Sequence, residues 1–567
     1  MISISGKKWI EKKINKNSIE KIKQDFNFSD IISKLIISRN FDLNEIHSIE
    51  NPSFIINEFK KDKDFTNAVS LLEKSIINKE LICIFGDYDV DGSSATSLLA
   101  KFFDYIKHPY FFYIPDRERD GYGPSIFVLK KLIQKKPKLI IMVDCGSTSN
   151  DSITYLNDNK IKSLIIDHHE INKPYPKANV IINPKKNINN SSKDYYCATA
   201  LTYFFLEIMI KKIKSSFNIS DYLIYVLLAS VCDVMPLRKI NRYIALYLIK
   251  NFNIKDNAIF RTLYELCKKK NNLTIEDLGF FIGPIINSGG RLSNSKIAAD
   301  LLISKNSNII KSKSLELIEL NNIRKDIENK ILKEINFEKL EKENKDVIIY
   351  YSSKIKVGII GIIASRLKDY FNKPSIVITA SQDTLKGSAR STDNYNISNI
   401  IKKLINRKLI QNGGGHNMAA GFSMRKSKLN DLKDFILKDF ALNNKKFNLH
   451  NYYDAEISPN AINKDFNNEI NKIGPFGNAN PVPTFLIKNL KIIKVTTVNN
   501  KHINVVLKPK IGRSIKSVCF NSFNTRLGKY LLSYKKNIHV VAQMHENNWN
   551  NNKVLQLNIK DLLIELN

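Results

Sequence analysis

Long apolar runs are missing from this chain. No stretch approaches the roughly 18 uninterrupted apolar residues that a membrane-crossing helix needs, and the most apolar segment, Leu223 to Val231, is soon followed by Asp233. The first residues, Met1-Ile-Ser-Ile-Ser-Gly-Lys-Lys, lack the apolar core of a secretory signal. Cysteine is scarce. There are six in 567 residues and none stands in a CxxC pair, which argues against both a disulfide framework and a thiolate zinc site. No internal repeat is visible either. The expectation is a chain without membrane contact, working in a reducing cytoplasm.

What is present is an ordinary globular composition in a chain too long for one hydrophobic core, so several domains are expected. The formal charge of +33 suggests a polyanionic partner. The chain is also rich in Lys, Asn and Ile, as AT-biased coding would make it. Charge alone therefore does not separate nucleic-acid binding from a solvated basic surface, and the motifs must decide.

Residues 1–65 read as a basic, helical lead-in. From Glu80 the pattern turns to short apolar runs alternating with mixed segments. Leu81 to Phe85, Leu139 to Val143 and Leu164 to Ile166 are continuously apolar, as strands of a parallel sheet with both faces covered must be. Ser93 to Asp104 and Ser125 to Gln134 read as helices between them. This alternation predicts a doubly wound α/β domain over residues 66–250. A connector, residues 251–345, ends in a long helix predicted over 308–345 from the spacing of Leu315, Leu317, Ile318, Ile323, Ile327 and Ile331. A second α/β pattern fills 346–447, with strands at Val347 to Tyr351 and Ser375 to Thr379 and a helix at Gly361 to Tyr370. Short β-type runs over 448–567 predict a small all-β barrel or sandwich.

Ligands of open α/β sheets bind at the carboxyl ends of the strands. Here the first strand runs into Gly86-Asp87-Tyr88-Asp89-Val90-Asp91-Gly92, the second into Asp144-Cys145-Gly146 and the third into Asp167-His168-His169. A fourth apolar segment, Leu227 to Val231, is grouped with the strands and leads into Asp233. One such Asp is more often a helix N-cap than a catalyst. Four acidic ends on one sheet edge would repel one another unless cations lay between them. Oxygen and imidazole donors without thiolates favour Mn²⁺ or Mg²⁺ over zinc. Two such ions suit in-line displacement at phosphorus.

The order Asp-x-Asp, Asp144, Asp167-His168-His169, Asp233 resembles the signature of the DHH phosphoesterases. Further segments resemble the RecJ-type exonucleases of that superfamily. They are Pro115-Asp116-Arg117 with Gly121-Tyr122-Gly123, Asn287-Ser-Gly-Gly-Arg291-Leu292, Gly358 to Arg366, Gly387-Ser388-Ala389-Arg390-Ser391, Gly414-Gly-His416 to Gly421, and Gly474 to Pro481. The resemblance implies two α/β domains (DHH and DHHA1-like) joined by a long helix, followed by a C-terminal OB-type domain. It makes Asp144 a bridge between two Mn²⁺ (or Mg²⁺) ions, with Asp87 on one and Asp89, His168 and Asp233 on the other. His169 then faces the scissile phosphate, and Asp91 is either a further ligand or a support behind the ligands. Arg117, Tyr122, Arg291, Ser388, Arg390 and His416 are the implied DNA contacts, with the Gly387 and Gly414 segments as phosphate-gripping loops.

Three departures stand out. Cys83-Ile84-Phe85 lacks the His that many relatives carry before the Asp pair. Ile355-Lys356 replaces a Trp-His pair. Ser230-Val231-Cys232-Asp233 replaces the commoner Thr-Val-Ala-Asp.

The implied activity is metal-dependent 5′→3′ degradation of single-stranded DNA to 5′ mononucleotides in repair and recombination. A single-stranded-DNA-binding protein or a helicase would supply substrate, and a monomer is expected. Two other readings stand beside it. One is a DHH phosphodiesterase acting on short oligoribonucleotides or cyclic dinucleotides, which the extra C-terminal β region argues against. The other is an inactive DNA-binding scaffold, which the retained carboxylates argue against.

Overall fold

The computed structural model describes residues 2–6, 8–50, 57–186, 195–343, 346–392, 395–444, 450–523, 525–533, 537–549 and 552–564. The chain forms two compact units. One comprises Ile55–Met235 and Tyr247–Phe447; the other is assembled from Met1–Phe54, Pro236–Leu246 and Asn448–Asn567.

The first of these units holds two sheets. One is wholly parallel, with strands β1 (Ile82–Gly86), β2 (Tyr110–Tyr113), β3 (Leu139–Val143), β4 (Lys162–Ile166) and β5 (Val180–Ile182) in the order β2-β1-β3-β4-β5. β1 and β3 are buried along their whole length. Cys83, Phe85, Ile140 and Met142 pack with Val128, Leu129, Ile153 and Leu156 on one face, and α1 (Val90–Tyr105) packs against the sheet. Burial on both faces is why the strand sequences carry no polar alternation. The strand order reverses beside β1, and in such sheets ligands bind at the carboxyl ends of the two strands flanking that point, here β1 and β3.

Next come α2 (Ala198–Lys212), α3 (Leu223–Cys232), α4 (Ala258–Leu266), α5 (Gly283–Leu292) and α6 (Ser307–Glu334). The apolar segment before Asp233 is therefore helix and not strand. Its ten residues pack against α1 and α2 and are buried all round up to Ser230, and an apolar run buried on every side has no periodicity to separate helix from strand. The long helix predicted over 308–345 stops at Glu334, where Ile335 is extended, and a separate short helix spans Phe337–Glu343.

The second sheet holds β6 (Ile348–Tyr351), β7 (Ser375–Ser381), β8 (Thr384–Arg390), β9 (Asn412–His416) and β10 (Ala419–Arg425) in the order β9-β10-β8-β7-β6, with α7 (Val357–Phe371) packed on it. The two glycine-rich segments expected as loops are strands here. Gly387 pairs with Phe422, and Gly414 with Gly421. A side chain on Gly387 would collide with the Phe422 ring, so the glycine serves close strand packing.

In the other unit, Thr484–Val498, His502–Pro509, Ile515–Cys519, Asn552–Ile564 and Ile538–Trp549 pair successively, and the last returns to the first. Five strands thus close into a barrel without free edges around Phe485, Ile487, Val505, Leu507, Val540 and Leu557. The lead-in is only partly helical: Ile2–Ser3 pairs with Asn552–Ile564, and Lys8–Glu11 with His450–Tyr453. Segment Pro236–Leu246 is fastened by Arg238, whose Nε donates to Glu45 Oε1 at 2.7 Å while Nη2 donates to the Asn40 carbonyl at 2.8 Å.

Candidate metal centre and phosphate-binding face

The carboxyl ends of β1, β3 and β4 and the C-terminus of α3 deliver their acidic and imidazole groups to one place. Ligand atoms of Asp144, His168 and His169 lie within 4.8 Å of one another, as do those of Asp91, His168 and Asp233, and those of Asp87, Asp89 and Asp144. His168 Nε2 is 3.3 Å from both Asp144 Oδ1 and Asp233 Oδ2, and 3.7 Å from Asp91 Oδ2. Asp144 belongs to two of the three groups and sits between them. Its backbone is left-handed, with φ of 61°, a conformation that functional sites tolerate when the fold dictates it.

Each backbone context explains its side chain. Asp89 caps α1, with Oδ1 accepting from the amides of Asp91 (2.9 Å) and Gly92 (3.1 Å), so this Asp is both an N-cap and a candidate ligand. Asp91 accepts from the amides of Ala198 (2.8 Å) and Thr199 (2.7 Å) at the start of α2. Both of its oxygens thus accept from the helix N-terminus, while Asp91 also belongs to one of the three groups above. Burial and Asp89 push it up to about 6 against the pull of those hydrogen bonds.

Asp167, which the sequence places in the triplet but to which it assigns no role, organises the two histidines. Oδ1 accepts from the amides of His168 and His169 and, at 2.8 Å, from His169 Nδ1; Oδ2 accepts from the Ser147 amide at 3.1 Å. Burial would raise Asp167, but the charges of His169 and His168 and these hydrogen bonds hold it well below the usual carboxylate range. In return, and against burial, Asp167 lifts His169 to about 9. The signal for Asp167 was the Asp-His-His triplet itself. Tyr122 donates to the Asp144 carbonyl at 3.1 Å and lies 3.3 Å from His169 Nδ1, which ties the Gly121-Tyr122-Gly123 loop to the cluster.

The donor set fits divalent metal. Asp87 Oδ1, Asp144 Oδ1 and Asp233 Oδ2 are buried and accept no hydrogen bond from any described residue. Burial and mutual repulsion raise all three carboxyls well above their ordinary range. A cation among them supplies the missing partner and reverses the repulsion.

Facing this cluster is a set of arginines. The Arg117 guanidinium lies 4.1 Å from the centre of the Tyr88 ring, within the Asp87-Tyr88-Asp89 turn. Arg390 Nη1 donates to Ser388 Oγ at 3.1 Å, and both abut α7 at Gly361, where an added Cβ would stand 3.0 Å from Arg390 Nη2 and 3.1 Å from Ser388 Oγ. Arg291 lies against Gly358, whose Cβ position is filled by the Arg291 carbonyl, and a Cβ on Gly290 would approach the Tyr88 carbonyl to 2.5 Å. Burial and the neighbouring guanidiniums of Arg117, Arg324 and Arg390 hold Arg291 below its ordinary range. The structure therefore brings Arg117, Tyr122, Arg291, Ser388 and Arg390 around the acids. It adds Arg324, held by Glu328 at 3.0 Å and Asn321 at 3.1 Å, which no motif had marked. His416 ends β9, but its side chain lies outside the described residues. Lys356, in place of the family His, is exposed just before α7.

Sequence profiles of the DHH family N-terminal domain, the DHHA1 domain and the RecJ OB domain match residues 81–230, 325–441 and 453–561 in that order. The single-stranded-DNA-specific exonuclease RecJ of Haemophilus influenzae is 29% identical over 513 residues, covering 86% of this chain and 89% of that protein. The chain belongs to the RecJ family. RecJ of Bacillus subtilis is 26% identical over 583 residues, covering 99% of this chain and 71% of the relative. The crystal structure of Thermus thermophilus RecJ in complex with Mn²⁺ superposes with a TM-score of 0.81 at 20% identity, over 99% of this chain and 80% of that one. The RecJ fold thus extends across both units: two α/β domains and a C-terminal OB barrel.

Proposed function

We propose that this RecJ-family chain is a metal-dependent 5′→3′ exonuclease that degrades single-stranded DNA to 5′ mononucleotides in DNA repair and recombination. One observation carries the reading. Three overlapping groups, two of acids with imidazole and one of carboxylates alone, carry buried, undonated oxygens beside the guanidiniums of Arg117, Arg291 and Arg390. A negative cluster opposite a positive wall suits a phosphodiester held between metal and guanidinium.

Asp87, Asp89, Asp144, His168 and Asp233 would hold two divalent ions, Mn²⁺ or Mg²⁺, with Asp144 shared between them. When bound, such ions lower the pKa of water and stabilise the leaving oxygen. Asp91 fixes the site by anchoring α2. His169, kept protonated by Asp167, presents a charged imidazole to the phosphate. Arg117, Ser388 and Arg390 would grip the terminal phosphate, with Arg291 and His416 on the backbone beyond and Tyr122 against the strand end. The barrel would hold the strand outside. The domain limits proposed are 66–250, 346–447 and 448–567. Monomeric action in the cytoplasm, with a single-stranded-DNA-binding protein or a helicase supplying substrate, completes the proposal.

The test is digestion of 5′-labelled single-stranded DNA in Mn²⁺ beside matched duplex and short RNA, with Asp144→Ala as control. Labelled mononucleotide released from single strands only, and abolished by the substitution, is expected. Turnover of short RNA alone, or DNA binding without turnover, would overturn the reading.

A further inference from the structure

The larger unit carries a second concave site that shares no residue with the acid cluster. It is a cavity of about 530 Å³ whose lining includes Lys101, Tyr222, Tyr247, Asn251, Asn257 and Lys305. Its size lies within the range of small-molecule sites. It abuts the far ends of two helices that lead to the acids. Lys101 stands on α1 about 15 Å along the axis from Asp91, and Tyr225 lies near the start of α3, which ends at Asp233.

Lys101 is the group that asks for a ligand. It is 3% exposed, yet no described carboxylate forms an ion pair with it. Its Nζ donates one hydrogen bond, to the Ile303 carbonyl at 3.0 Å, and lies 5.1 Å from the centre of the Tyr222 ring. An ammonium has three donors, and a buried one without a counter-charge is costly. The rest of the wall adds positive potential. Lys305 is exposed, and the nine-residue α4 begins at the lining residues Ala258 and Ile259, with the Asn257 cap accepting from the amides of Ile259 and Phe260. Two carboxylates also line it, Asp221 and Asp256, but both are exposed. Each already accepts from an asparagine amide, Asn218 at 2.8 Å and Asn253 at 3.1 Å. Aromatic surface comes from Tyr222, Phe252 and Tyr247, the last 53% exposed. The cavity therefore pairs a buried cation with flat rings and amide side chains. That combination suits a phosphate monoester bearing a heterocycle.

We infer that this cavity binds a nucleoside monophosphate, with its phosphate toward Lys101 and its base against Tyr247. The choice of a nucleotide over other phosphate monoesters rests on the proposed reaction, which would release that product nearby. The cavity itself does not depend on that reading.

The test is isothermal titration of the full chain in EDTA, without turnover, using dAMP, deoxyadenosine and inorganic phosphate. Saturable binding of dAMP is expected. Lys101→Met should weaken it about tenfold or more, as loss of a charge-assisted hydrogen bond does, and Tyr247→Ala should weaken it severalfold. Arg390→Met should leave it unchanged. A dAMP affinity lost in Arg390→Met but kept in Lys101→Met would place the nucleotide at the acid cluster and overturn the inference, as would no binding at millimolar dAMP. Phosphate bound as tightly as dAMP would overturn the nucleotide assignment. Tyr247→Ala, at an exposed position, decides the matter if Lys101→Met fails to fold. Because no metal or DNA is present, loss of exonuclease activity would leave this result standing.

Discussion

Asp144→Asn is expected to separate stability from activity. The candidate ligand atoms of Asp87, Asp89 and Asp144 lie within 4.8 Å of one another. At an effective dielectric of about 20, two full charges at that spacing repel by about 3 kcal/mol. Burial and the neighbouring carboxylates raise the Asp144 carboxyl, so the relief is smaller than that full repulsion. Asn also accepts the left-handed backbone at φ 61° better than most residues. The metal-free variant should therefore unfold a few degrees higher than the unsubstituted chain, at about 2–4 °C per kcal/mol for a unit of this size.

The pH dependence has a definite sign. These carboxyls are raised in the folded state, so the folded chain holds more protons than the unfolded one. Metal-free stability should then fall as pH climbs from about 4, the unfolded value, through the folded values, Asp91 at about 6 among them. The variant's advantage should be larger at pH 8 than at pH 5. Mn²⁺ at a hundredfold excess over its dissociation constant should stabilise the unsubstituted chain by about 2.7 kcal/mol and the variant much less. Differential scanning calorimetry in EDTA and in Mn²⁺ at both pH values reads all of this. A variant that unfolds lower in EDTA at pH 8 and keeps its full Mn²⁺ response would refute the electrostatic account.

Asp167→Asn should remove the largest influence that opposes burial at His169, so its titration, followed by NMR in the metal-free chain, drops from about 9, with Asp233 and Asp87 still raising it. Arg390→Met should weaken single-strand binding and flatten the plot of log affinity against log salt by about 0.7, the share of one phosphate contact; an unchanged slope would remove Arg390 from the phosphate path. Gly290→Ala should cost about 1–3 kcal/mol in stability, because the new methyl meets the Tyr88 carbonyl, and should reduce turnover by shifting the turn that carries Asp87 and Asp89. Denaturation together with a turnover assay checks both parts.

The centre was legible because its residues follow runs whose character is unambiguous. β1, β3 and β4 read as strands and their terminal acids fall in register. Asp233 reaches the cluster from a helix and not from a strand, a difference the sequence does not show because the ten residues of α3 carry no periodic polar face. The sequence does not show what Asp91 touches, because its partners Ala198 and Thr199 lie more than a hundred residues away. Lys8–Glu11 and Ile2–Ser3 looked like lead-in because a strand two to four residues long has no pattern of its own and takes its identity from a distant partner. Arg324 was hidden for a different reason. On a helix as charged as α6, nothing in the sequence distinguishes an arginine facing a crevice from one facing water.

The barrel unit is drawn from three separated stretches of chain, and this has a consequence for synthesis. A ribosome adding about 5–20 residues per second takes roughly 20–80 s to travel from Phe54 to Asn448. Throughout that interval the strand Ile2–Ser3 waits for Asn552–Ile564, and the acid-bearing unit is complete at its end, with Phe447. The contact of Arg238 with Glu45 is available as soon as Pro236–Leu246 emerges, because both partners precede the barrel. The nascent N-terminal helices thus acquire a buried ion pair long before their sheet exists, which gives the early segment something to fold against.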